Sequence, residues 1–134
     1  MPNKETRNDP EKLAFMQAGV LLVNFIKKQN WKRTEVAAIL GIHHNSLYKD
    51  ELILEEWCDH YNSQMRRTRL DLYQVWLLLF TRCLVNQLGT RKQAETFIFK
   101  HPGLTTHEKF IQTKQTIIKN YGNQPRQIKR VLAA

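Results

Sequence analysis

Residues 70–88 constrain the fold more than any other stretch. Leu70, Tyr73, Val75, Trp76, Leu77, Leu78, Leu79, Phe80, Cys83 and Leu84 crowd into it, and Gly89 closes it. Asp71, Gln74, Arg82, Asn86 and Gln87 make it too polar to span a bilayer, so no membrane partner is expected. A helix this apolar on more than one side must either lie at the centre of a core or be shared with a second copy of the chain. The stretch 13–26 poses the same choice: Leu13, Phe15, Met16, Val20, Leu21, Leu22, Val23, Phe25 and Ile26 also cover more than one helical face.

Both alternatives need enough chain to enclose two such helices. The 134 residues, 42% hydrophobic and 25% charged, are enough for one core without disulfides or metal. Cys58 and Cys83 are too few for a disulfide framework, and both lie in apolar helical patterns, as reduced, buried thiols do. Cys58 with His60, and the adjacent His43 and His44, lack the spacing that sets several ligands on one metal. No metal and no cofactor are expected. The start of the chain carries acids as well as bases and no small-residue cleavage site, which suggests a cytoplasmic protein.

The remaining pattern is helical, and nothing in it asks for a sheet. Asp9-Pro10-Glu11 is a helix start, with Asp as N-cap and Pro in the first turn. The helix it opens should run until Lys27-Lys28-Gln29-Asn30. A short helix follows over 34–40 and stops at Gly41. Another starts near His43 or His44, and helical spacing continues through Leu52, Ile53, Leu54, Trp57 and Tyr61. The polar stretch 63–69 reads as a hinge before the helix 70–88. Thr90 is placed to cap the next helix, Thr105 with Glu108 forms a capping box for another, and Gly122 ends that one. The tail from Asn123 is basic, with Pro125 placed to start a last helical turn.

The segment between Arg33 and Lys49 carries the functional signal. Val36, Ala37, Leu40, Ile42 and Leu47 are apolar at offsets that pin two short helices to a core, and Gly41 sits at the break. Ala37 is small where the second helix crosses the first, and glycine tolerates the left-handed backbone of a sharp turn. His43, His44, Asn45, Tyr48 and Lys49 then face outward, each able to hydrogen-bond to a base edge or a phosphate.

The run Thr34-Glu35-Val36-Ala37-Ala38-Ile39-Leu40-Gly41-Ile42-His43-His44-Asn45-Ser46-Leu47-Tyr48 resembles the helix-turn-helix of bacterial transcription regulators, the Fis type most and the MerR type next. The resemblance covers about residues 31–50. It implies major-groove binding to double-stranded DNA, usually by a homodimer, and with it association with the nucleoid. On that basis His43, His44, Asn45 and Lys49 are the expected base readers, with Asn45 suited to a bidentate contact to adenine. Lys32 and Arg33 are placed for the DNA backbone. Ser46 is a cap or a phosphate contact, and Tyr48 a phosphate contact or a half-buried strut. Trp31 closes the core. Asp50 and Glu51 depart from the pattern, since two carboxylates along a groove would face phosphates badly.

Charge divides the chain three ways. Residues 1–50 hold eight basic and five acidic side chains; 51–62 hold Glu51, Glu55, Glu56 and Asp59 with no base. Residues 63–134 hold thirteen bases against Asp71, Glu95 and Glu108, a balance of +10 that exceeds the whole chain's net +9. Arg66, Arg67, Arg69, Arg126, Lys129 and Arg130 are candidates for sequence-independent phosphate contacts. The acidic belt is expected to face away from DNA.

No glycine-rich phosphate loop, serine elbow or oriented Cys–His pair is present, so no enzymatic activity is expected. No segment reads as a ligand sensor, so no small-molecule effector is expected either. The expected fold is all-α: a helix-turn-helix DNA-binding region over 1–62, then a basic helical bundle over 63–134 for core packing and dimerisation. The expected function is a homodimeric, sequence-specific transcription repressor. An architectural or RNA-binding protein led by the basic half, and an interaction module such as an antitoxin or adaptor, are the alternatives.

Overall fold

The computed structural model describes residues 9–58, 61 and 69–121. It is mostly helical, with six helices among the described residues: α1 (Pro10–Leu22), α2 (Arg33–Leu40), α3 (His44–Trp57), α4 (Leu72–Leu88), α5 (Arg91–Lys100) and α6 (His107–Tyr121). A 3-10 turn, Pro102–Thr105, joins the last two. Two three-residue strands, β1 (Asn30–Lys32) and β2 (Arg69–Asp71), pair antiparallel.

Local chemistry sets the helix ends. The Asp9 carboxylate accepts from the backbone N–H groups of Glu11 and Lys12 at 3.1 and 3.2 Å, and Pro10 opens α1. That helix ends at Leu22, earlier than the apolar pattern suggests. Residues 23–25 donate instead to carbonyls three residues back, a tighter winding that steers the chain toward β1. Gly89 stops α4 with φ +104°, and the Thr90 hydroxyl accepts from Gln93 N–H at the start of α5.

The small sheet corrects the expectation that no strand would form. Its register sets Asn30 opposite Asp71, Trp31 opposite Leu70 and Lys32 opposite Arg69. Trp31 and Leu70 are buried, whereas Lys32 and Arg69 are exposed. The Trp31 indole N–H donates to the Phe25 carbonyl at 3.0 Å, tying the strand to the end of α1. Leu70 therefore belongs to β2 rather than to the long helix. Asp71 begins that helix instead: its side chain accepts from Gln74 N–H at 2.8 Å, and Gln74 Oε1 accepts from Asp71 N–H at 2.9 Å. One capping position also shifts. The Thr106 hydroxyl, not that of Thr105, accepts from Lys109 N–H, because Thr105 is drawn into the 3-10 turn. There its hydroxyl donates to the Pro102 carbonyl and its own carbonyl accepts from the Tyr73 hydroxyl.

α4 is the central helix. Tyr73, Val75, Trp76, Leu77, Leu78, Leu79, Phe80, Cys83 and Leu84 are all buried within the single chain. The face offered by the sequence as a dimer interface is thus already used: α1 crosses one side of α4 while α3, α5 and α6 take the others. Phe15 of α1 meets Trp76 and Phe80 edge-on at centroid separations of 5.9 and 5.6 Å. Phe110 of α6 approaches Trp76 at 5.8 Å, and Phe97 of α5 approaches Phe80 at 6.3 Å. One hydrophobic core therefore draws on both sides of the 62/63 division. Cys58 and Cys83 are free and buried. Among the described residues, no helix is long and apolar enough to cross a membrane.

Candidate nucleic-acid interface

The candidate site is α3 together with the turn that leads into it. Gly41 ends α2 in the left-handed region, φ +70° and ψ +30°, and the Ile42 N–H reaches back to the Ala37 carbonyl at 3.0 Å. A β-carbon at Gly41 would meet nothing within 4 Å, so glycine is required there by backbone conformation rather than by space. Val36, Ala37 and Leu47 are buried, while Leu40 and Ile42 are half-buried against the core. These five side chains hold the two helices at their turn.

His43 caps α3. Its Nδ1 accepts from the Asn45 backbone N–H at 3.1 Å, and its ring lies 4.2 Å from that of His44. An imidazole accepting at Nδ1 carries its proton at Nε2, so the cap leaves a donor facing outward. His44, Asn45, Tyr48 and Lys49 are all exposed on the first two turns, with Tyr48 at 57%. That is more exposure than a half-buried strut would show. Ser46 is half-buried, and its carbonyl accepts from Arg91 Nη2 at 3.3 Å.

The opposite face of α3 accounts for the two misplaced acids. Asp50 is fully buried, and Arg82 of α4 grips it with two bonds of 2.9 Å, from Nε to Oδ2 and from Nη2 to Oδ1. Arg91 of α5 adds a third bond, Nε to Oδ1 at 3.0 Å. Burial raises the Asp50 carboxyl above its ordinary range, with the two guanidiniums pulling against it. Glu51, 2% exposed, takes Arg33 Nε on both oxygens at 2.8 and 3.0 Å and also accepts from the Tyr61 hydroxyl. Burial opposes the charged Arg33, but Glu51 and Tyr61 outweigh it and raise its pKa. Burial, then Glu51, pushes the Tyr61 phenol well above its usual value.

Apart from Ser46, the sequence-derived candidates therefore fall into four groups. His43, His44, Asn45, Tyr48 and Lys49 lie together on or beside the exposed face of α3. Lys32 and Arg69 are exposed cations opposite each other in the β1–β2 ladder. Arg33 gives its Nε to both oxygens of Glu51, and its side chain is 28% accessible. Arg66, Arg67, Arg126, Lys129 and Arg130 lie outside the described residues. Sequence reasoning missed Arg82 and Arg91, which approach α3 from 32 and 41 residues away. The only signal for them was the pair of acids that a groove-facing helix should not carry.

Comparison with protein-family models, with curated proteins and with solved structures finds no match to this chain.

Proposed function

We propose that this chain is a sequence-specific double-stranded DNA-binding protein that regulates transcription, with α3 as its reading helix. One observation carries the reading. Within the first two turns of α3 the exposed side chains are His44, Asn45, Tyr48 and Lys49, and both carboxylates of that stretch, Asp50 and Glu51, are buried against arginines. The outward face thus holds donors, an amide and a cation, and no anion to repel phosphate. Gly41 and the buried motif side chains support the same reading by setting α3 at a tight turn from α2.

Base contacts are assigned to His43, His44, Asn45 and Lys49. Backbone contacts are assigned to Tyr48, to Ser46 and to the exposed pair Lys32 and Arg69. Two copies on two half-sites complete the proposal, because one short reading helix covers only a few base pairs. Repression follows in its simplest form, by occlusion of a promoter.

Selection of bound duplexes from a random pool at about 150 mM salt tests the reading. Enrichment of one sequence over competitor DNA is the expected result, and no enrichment overturns it. Asn45→Ala should then relax preference at one base pair by about 1–3 kcal/mol while leaving random-duplex affinity unchanged. Sedimentation of the complex gives the number of copies per site.

A further inference from the structure

Three arginines grip the back of α3, but not in the same proportion to the acids they meet. Arg33 meets Glu51 one to one. Asp50 is met by two, and Arg82 alone already occupies both of its oxygens with a bidentate grip. Arg91 is the surplus: one carboxylate faces two guanidiniums, leaving one net positive charge at the node. It is also the more exposed of the two, its side chain 34% accessible against 15% for Arg82.

The position of Arg91 matters as much as its charge. It is the first residue of α5, directly after the Gly89–Thr90 turn. Nε is held by Asp50, and Nη2 by the carbonyl of Ser46 in the first turn of α3. No hydrogen bond among the described residues takes its Nη1. Asn45, the residue before Ser46, and Lys49, one turn further on, are both exposed. A guanidinium is thus fixed along the flank of the proposed reading helix, with part of its donor edge open.

A free surface arginine loses much rotamer freedom when it is ordered on a phosphate, whereas this one is ordered beforehand by Asp50 and Ser46. We propose that Arg91 is a DNA-phosphate contact flanking α3, in the role that the sequence assigned to Arg33. The proposal rests on α3 being the reading helix. It adds to the backbone contacts one from α5, so the second half of the chain would flank the reading helix supplied by the first.

The test uses the full chain and the duplex recovered from the random pool, with affinity measured across a salt series for wild type, Arg91→Gln and Arg91→Lys. Arg91→Gln should weaken selected and random duplexes alike by about three- to tenfold at about 150 mM salt. The slope of log affinity against log salt should shrink by about 0.9. Arg91→Lys should retain most of that slope. An unchanged slope, or a loss confined to the selected sequence, overturns the contact while leaving DNA binding by α3 intact. Failure of the wild-type protein to prefer any duplex overturns the proposed function itself, a separate result. Should Arg91→Gln fail to fold, modification of wild-type arginines by phenylglyoxal, read by mass spectrometry, decides instead. Duplex should protect Arg91, and equal labelling with and without duplex overturns the proposal.

Discussion

α4 and α3 are both built into the core, but opposite kinds of force hold them. α4 presents apolar side chains on nearly every side, and the aromatic rings of three other helices converge on Trp76 and Phe80. Burial of that kind is strong and non-directional. α3 buries Leu47, Ile53 and Leu54, but two further buried positions on it are the carboxylates Asp50 and Glu51. Arginines meet them through bonds that work only at a set distance and angle. The contrast suggests a division of labour: α4 supplies the stability, and the ion pairs fix the orientation of α3 so that one face points outward.

The largest effects should come from α4. Trp76→Ala or Leu78→Ala removes a fully buried side chain, and either should cost about 3–5 kcal/mol in urea unfolding. The same helix sets the alkaline limit. Burial pushes the Cys83 thiol up to about 12 and the Tyr73 phenol up to about 12, from ordinary values of 9.0 and 10.0. The folded state therefore keeps protons that the unfolded chain releases. Their contribution to stability is fully present below about pH 9 and is lost as pH rises toward 12. The urea midpoint should fall across that window, and Cys83→Ala should flatten the early part of the fall. A midpoint indifferent to alkali would mean that α4 is less enclosed than described.

Next comes the ionic side of α3. Asp50→Ala leaves Arg82 and Arg91 facing each other without their carboxylate. Removing one partner of a buried pair costs about 3–5 kcal/mol, and the partial exposure of both arginines puts this case near the lower figure. It should also blur sequence preference in DNA binding, because α3 would lose its attachment to α4 and α5. A variant as destabilised as that, yet with undiminished preference, would separate orientation from stability and break the comparison.

Gly41→Ala acts on the turn alone. A β-carbon there meets nothing, so the cost is that of a left-handed backbone at a residue with a side chain, about 1 kcal/mol. Gly41→Asn should cost less, since asparagine tolerates that region better. Thermal unfolding of the two variants checks the order.

Much of this was legible in the sequence where one residue type answers one local need. Asp9, Gly41, Gly89 and Thr90 each terminate or start a helix for reasons confined to a few neighbours, and the structure uses each in that way. The central place of residues 72–84 followed from their apolar crowding. The β1–β2 pair did not, because a three-residue strand has too few residues to show alternation, and its partner lies 39 positions away. The arginines of the second half were legible as charge but not as geometry. Arg82 is used up on Asp50, while Lys109 and Lys114 lie over the rings of Phe15 and Phe110 at 5.0 and 6.0 Å. A count of positive charge in that half therefore overstates what is left to attract a polyanion.

The smallest effect on stability should come from the residue next to Asp50. Lys49 is exposed and makes no ion pair with a described residue, so Lys49→Ala should change the unfolding free energy by no more than about 0.5 kcal/mol. In the proposed function it lies on the reading face, and its loss should weaken duplex binding several-fold while the thermal midpoint stays put. Asp50→Ala and Lys49→Ala thus form a matched pair, one step apart in sequence, the first buried and the second exposed. If α3 reads DNA, the first variant loses mainly fold and the second loses only binding. Equal losses of stability in the two would mean that the outward face of α3 is not free, and the reading helix would have to be sought elsewhere.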